Sequence, residues 1–136
     1  MKSRTLTLTA IAFALLLGVA TTQAQSQRLS ASIPFDFQVG SEHMPAGQYV
    51  IASDGFRLTI QGLHTSGAAF VQTSSIGSKH LEAPQLVFLH LGTQYYLTQV
   101  WSSVLHDGRG IPLPKDRQLE ASNGADHQET VVAMSH

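Results

Sequence analysis

Around Asp54-Gly55 the apolar residues recur at every second position on both sides of a turn, and this constrains the fold more than any other feature of the chain. Successive side chains leave a pleated strand on opposite sides, so period two marks a strand with one buried face. Asp-Gly is favoured in two-residue type I′ hairpin turns. Taken that way, Ser53 pairs with Phe56, Ile51 with Leu58 and Tyr49 with Ile60. One face of the hairpin then reads Tyr49, Ile51, Phe56, Leu58 and Ile60. The other reads Gln48, Val50, Ala52, Arg57, Thr59 and Gln61. Turn chemistry and hydrophobic pattern demand the same register, which is the agreement that specifies a fold.

The same period runs through most of the chain. Ile33, Phe35, Phe37 and Val39 alternate with Pro34, Asp36 and Gln38 and predict one strand, placed at an edge or with Pro34 at its start because Pro34 has no N–H to give to a ladder. A further strand is expected over 68–73. Gly92-Thr93 suits a type II′ turn that pairs Leu91 with Gln94. That register sets Leu86, Phe88 and His90 beside Tyr95 and Leu97, and gives the other face to Val87, Leu89, Tyr96 and Val100. With apolar side chains on both faces, 85–91 and 94–101 are expected to be the central strands. Lys115 to Ala121 reads as a short helix, and the polar stretch 122–136 as a disordered tail in which Val131-Val132 is a weak exception. The expected fold is all-β, a small antiparallel β-sandwich or barrel of about six to seven strands. An outer-membrane barrel is disfavoured, because lipid-facing strands of ~10 residues with aromatic girdles are not visible.

The first 24 residues read as an address. Lys2 and Arg4 precede an apolar run from Leu6 to Ala20, and Thr22-Gln23-Ala24 offers small residues to a signal peptidase. The apolar run is shorter than the ~20 residues a membrane span needs. Cleavage after Ala24 leaves 25–121 as a single β domain, exported to the periplasm or beyond the cell, with no stable membrane insertion. The cleaved segment carries two cations and no acid, so the eight basic side chains fall to six against nine acidic ones, net −3. Such a chain has no basic field to hold nucleic acid. It also has no Cys, which removes disulfides, thiolate metal sites, thiol nucleophiles and lipoprotein anchoring.

Several blocks taken together carry a resemblance: Ile33-Pro-Phe-Asp-Phe-Gln-Val-Gly40, Met44-Pro-Ala-Gly-Gln-Tyr49, Glu82-Ala-Pro-Gln-Leu-Val-Phe88, Gly92-Thr-Gln-Tyr-Tyr-Leu97 and Val100-Trp101. Over about residues 31 to 120 the chain resembles a group of small secreted β-rich proteins of acidobacterial type with the pattern PFxFxVG, LPAGxY, LVFxxxGxxYFL and IW. Met44, Tyr96 and Val100 replace that pattern's usual Leu, Phe and Ile. The resemblance implies a β-rich exported protein. It carries over no catalytic residue, since that group has no established activity.

The chemistry-bearing residues are scattered. Seven His residues (43, 64, 80, 90, 106, 127 and 136) occur without HxH or HExxH spacing, and a metal site would need folding to gather His80, His90 and His106. Ser102 to Asp107 supplies Ser, His and Asp for a hydrolase but lacks a G-x-S-x-G elbow. Asp36, Asp54, Glu82 and Asp107 lie at turns or outward positions, where solubility and turn capping are their ordinary roles. No phosphate or dinucleotide fingerprint is present, and no cofactor is expected. The remaining candidates are aromatic: Tyr95, Tyr96 and Trp101, with His90 on the same hairpin, as a ligand-binding platform. Alternation itself opposes this, because it sends at least two of these rings to the core. The expected function is a non-enzymatic exported module that binds a protein, a surface polymer or another copy of itself. The alternative is a small hydrolase or metal-dependent enzyme built on 102–107.

Overall fold

The computed structural model describes residues 28–78, 83–102, 108–124 and 127–135. Among these the chain is mostly β, with strands β1 (Arg28–Ile33), β2 (Phe37–Val39), β3 (Glu42–Met44), β4 (Gly47–Asp54), β5 (Arg57–Gly62), β6 (Ala68–Gln72), β7 (Ser74–Ser75), β8 (Gln85–Leu91), β9 (Gln94–Trp101), β10 (Arg109–Gly110) and β11 (His127–Ser135), and one helix, α1 (Lys115–Ser122). The strands form one sheet in the order β3-β2-β9-β8-β11-β1-β4-β5-β6, with β10 bridging β9 and β7. Its two edges, β3 and β6, approach each other at Met44 and Gly67, so the sheet is a nearly closed barrel. It has 11 strands, more than the six to seven expected. The excess lies in β3, β7 and β10, which at two or three residues are too short to show a period, in β1, which runs ahead of the strand expected over 33–39, and in β11.

The apolar faces meet inside. Phe37 touches Tyr49 and Phe88 edge-on, with ring centroids 5.2 and 5.4 Å apart, so one ring from β2 links β4 to β8 across the interior. Leu58, Ile60, Leu86, Leu97 and Val100 fill the space around them, each at most 2% exposed. The buried Tyr49 phenol donates to the Pro45 carbonyl, which satisfies its one polar group.

Four expectations are corrected. First, 33–39 is not one strand. The chain leaves the sheet at Pro34, crosses the barrel mouth, and rejoins it as β2, which pairs with β9 in parallel at Phe37–Tyr95 and Gln38–Tyr96. The sheet is therefore not wholly antiparallel. Proline ends ladder pairing at the point where the chain changes neighbours, and period two persists through the break because Phe35 still points inward. Second, the hairpin of β4 and β5 turns one residue farther along, at Gly55-Phe56, with Asp54 opposite Arg57 and Ser53 opposite Leu58, so that each cross-strand partner moves by two. Gly55 alone takes a positive φ (+59°), which fits a type II′ turn and excludes type I′, where both central residues need it. A shift of two preserves the faces: Tyr49, Ile51, Leu58 and Ile60 stay buried, and only Phe56 is released into the turn at 68% exposure.

Third, the hairpin of β8 and β9 pairs Leu91 with Gln94 as predicted, but a bulge follows. Phe88 faces Leu97 and Val87 faces Gln99, leaving Thr98 as the extra residue. The bulge turns Val100 to the inner face opposite Leu86. Fourth, the stretch expected to be disordered contains β11, which pairs with β8 from His127 to Ala133 and with β1 at Met134 and Ser135. Composition hid it. Backbone pairing needs few apolar side chains, and here Val132 and Met134 suffice to face the core. The helix over 115–121 does form, extended to Ser122. It buries no side chain and is fastened by Gln118 Nε2 to the Leu113 carbonyl (2.7 Å) and by Arg117 to Glu120.

Candidate functional site

The barrel mouth is closed by a stack of rings. Phe35, on the crossing between β1 and β2, lies parallel to Tyr95 at 4.0 Å and edge-on to Phe88 at 5.1 Å. His90, paired with Tyr95 across the hairpin, lies on the ring's other side at 4.3 Å. Both faces of Tyr95 are thus occupied by the protein itself, and a ligand ring or sugar has none left to stack on. Tyr96 turns to the opposite side of the sheet and is 2% exposed. The residues expected to form one platform are therefore divided: His90 and Tyr95 join Phe35 in the mouth, Tyr96 is covered, and Trp101 stands apart at the far end of β9.

Trp101 is built into a second feature. The Gly108 backbone lies against the indole so closely that a Cβ there would come within 2.5 Å of the ring. A glycine is the residue that permits this approach. The indole N–H donates to Gln99 Oε1 at 2.7 Å. Because an indole nitrogen only donates, this bond fixes which end of the Gln99 amide is oxygen and leaves the NH₂ as its free end. Gln99 and Thr98 are the bulge residues, and the Thr98 carbonyl accepts from the Ile111 N–H at 2.8 Å while its hydroxyl donates to the Val87 carbonyl. The bulge thereby holds the segment after β10 against β9.

Between these strands and the β6–β7 corner runs a groove of about 500 Å³. Ile76, Ile111 and Pro112 give it apolar walls, and Gln72, Thr73, Ser74, Thr98 and Gln99 give it amide and hydroxyl groups. None of its lining side chains is ionisable. The arrangement suits an uncharged ligand held by van der Waals contact and a few directional hydrogen bonds. The sequence pointed to none of the lining residues, and only to Trp101, which stands behind Gln99. A bulge leaves no mark on a hydrophobic period, so Thr98 and Gln99 gave no signal, and Gly108 looked like a turn glycine.

The charged residues lie elsewhere. Asp36 accepts from the Ala46 N–H at 2.8 Å and stands 4.0 Å from His43, both exposed, in the turn role read from sequence. Arg109 reaches over the Phe56 ring at the base of the barrel, 5.4 Å from its centroid. Arg117 is held charged above the ordinary arginine range, first by its hydrogen bond to Glu120, with Tyr96 and Asp116 adding to it. Among the described residues no three of His, Asp and Glu gather to hold a metal ion. Ser102 is buried, while residues 103–107 and His80, on which the hydrolase and metal readings depend, lie outside the described residues. Comparison with family models, with curated proteins and with solved structures finds no match.

Proposed function

We propose that this chain is an exported, non-enzymatic β-module that binds an uncharged ligand in the groove beside the β9 bulge. The observation that carries the reading is the Gln99 amide, locked by the Trp101 indole at the edge of a groove without ionisable side chains. A fixed amide beside apolar walls discriminates by hydrogen-bond direction, as binding sites for neutral polymers do. The ligand class is a neutral glycan of a surface polymer or an uncharged extended peptide of a partner protein. Export by the N-terminal segment and membership of the small secreted group resembled in sequence belong to the same proposal.

Trp101 is the chain's only tryptophan, so its fluorescence reports on this site alone. Titration of the exported protein with neutral oligosaccharides and with uncharged peptides is expected to give a saturable change with one of the two classes, abolished in Gln99→Ala. No saturable change with either class overturns the reading.

A further inference from the structure

We infer that the base of the barrel, at the Gly55-Phe56 turn, docks on an anionic phospholipid bilayer, with the Phe56 ring entering the headgroup layer and Arg28, Arg57 and Arg109 meeting lipid phosphates. Phe56 sits at the tip of the β4–β5 hairpin and is 68% exposed. It is held in place all the same. Its carbonyl accepts from the Thr73 N–H at 2.7 Å and from the Thr73 hydroxyl at 3.1 Å, and the Arg109 guanidinium covers one face of the ring at 5.4 Å from its centroid. A ring already fixed this way loses little further freedom when it is buried against something else. Cations surround it. Arg57 follows it in the chain, opposite Asp54 on β4 and Gln72 on β6. Arg28 opens β1 opposite Ala52, on the other side of β4. Both are exposed. Arg109 comes from β10, and its buried Nε has no hydrogen-bond partner. None of the three forms an ion pair among the described residues. The other described cations are Lys115 and Arg117, on α1, whereas of the acids Asp36, Glu42, Asp54, Asp116, Glu120 and Glu129 only Asp54 lies at this end. The net negative charge of the chain hides that asymmetry.

Shape, charge and attachment select the occupant. A convex hairpin tip bearing one ring offers a folded protein neither a pocket nor a flat apolar face, but it suits the soft headgroup layer, where aromatic rings settle and Arg meets phosphate. The chain also enters β1 at Arg28, so residues 1–27, with their apolar run from Leu6 to Ala20, are attached at this same end. The choice of a bilayer rests on the export proposed above: while that run lies in the membrane, residues 21–27 keep the base of the barrel within ~25 Å of it. None of Phe56, Arg28 and Arg57 lines the groove beside Trp101, so this surface is independent of that site.

Flotation of the protein beginning at Gln25, which keeps every described residue, with vesicles of equimolar phosphatidylglycerol and phosphatidylcholine is expected to show binding. Pure phosphatidylcholine vesicles are expected to give none, and high salt to remove it. Arg28→Gln and Arg57→Gln are each expected to weaken binding about fivefold, and Phe56→Ser about tenfold. All three side chains are exposed, so the circular dichroism spectrum is expected to stay unchanged. Phe70→Ser, 73% exposed on the outer face of β6, is expected to bind like the wild type. Absence of binding to the anionic vesicles overturns the inference, as does binding undiminished in a folded Phe56→Ser or lost equally in Phe70→Ser. Saturable capture of a poly-glutamate peptide without vesicle binding also overturns it, and assigns the same cations to an acidic protein partner. Vesicle binding is read on purified protein and export by intact mass, so either can fail alone.

Discussion

Leu97 is the position at which truncation best tests the barrel core. It is 2% exposed and lies opposite Phe88 across the β8–β9 ladder. Leu97→Ala removes three carbons, which at ~0.8 kcal/mol per buried methylene amounts to about 2.4 kcal/mol of transfer free energy. A cavity term adds to this wherever the neighbours cannot close in. Here the nearest large neighbour is pinned: Phe88 is held edge-on by Phe35 at 5.1 Å and by Phe37 at 5.4 Å. Incomplete relaxation places the cost in the upper half of the ~2 to 5 kcal/mol range for such truncations. Leu97→Met, which nearly conserves volume, is expected to cost less than about 1.5 kcal/mol. Leu119→Ala, on the 68% exposed face of α1, is expected to change stability by less than about 0.5 kcal/mol. Urea denaturation of the protein, with equal slopes required across the three variants, gives the comparison. A Leu97→Ala cost as small as that of Leu119→Ala would refute the placement of β9 at the centre of the core.

Two further outcomes follow. Gly55→Val is expected to cost roughly 1 to 3 kcal/mol in thermal melts through backbone strain at φ +59°. No atom lies within 4 Å of the added Cβ, so an unchanged melting temperature would show that the turn does not hold a positive φ. Intact-mass measurement of exported material is expected to give a chain beginning at Gln25, and a mature form that keeps 1–20 would make that segment an anchor.

How much of this could be read in the sequence depended on what each element owes to side-chain period. The β4–β5 and β8–β9 hairpins were legible, with their faces except at Phe56 and Val100, because a buried face writes itself into every second residue. The Asp54-Gly55 turn misled by one residue, and the pairing by two, since Gly55 serves equally as the second residue of one turn and the first of the next. What stayed hidden was decided by backbone. β11 is held largely by pairing with β8, and its polar composition resembled a tail. The bulge at Thr98 moved Val100 inward with no change in pattern, and it also created the groove. Of the candidate site, alternation sent at least two of Tyr95, Tyr96 and Trp101 to the core without saying which, and the fold buries Tyr96 and sets Phe35 on Tyr95. Trp101 was named as a ring to stack on, whereas its structural connection to the groove runs through its N–H and Gln99.

The most direct test of ligand binding in the groove is the indole N–H resonance of Trp101 in a ¹H–¹⁵N spectrum, a single peak because the chain has a single tryptophan. A ligand that engages the Gln99 amide must perturb the bond that amide accepts. The peak is expected to move saturably on titration with the neutral oligosaccharide or uncharged peptide that alters Trp101 fluorescence, and to stay fixed in Gln99→Leu. A peak that stays in place in the wild type, while resonances of the β1–β4–β5 outer face shift instead, would contradict the account and move the binding site to the opposite wall of the barrel.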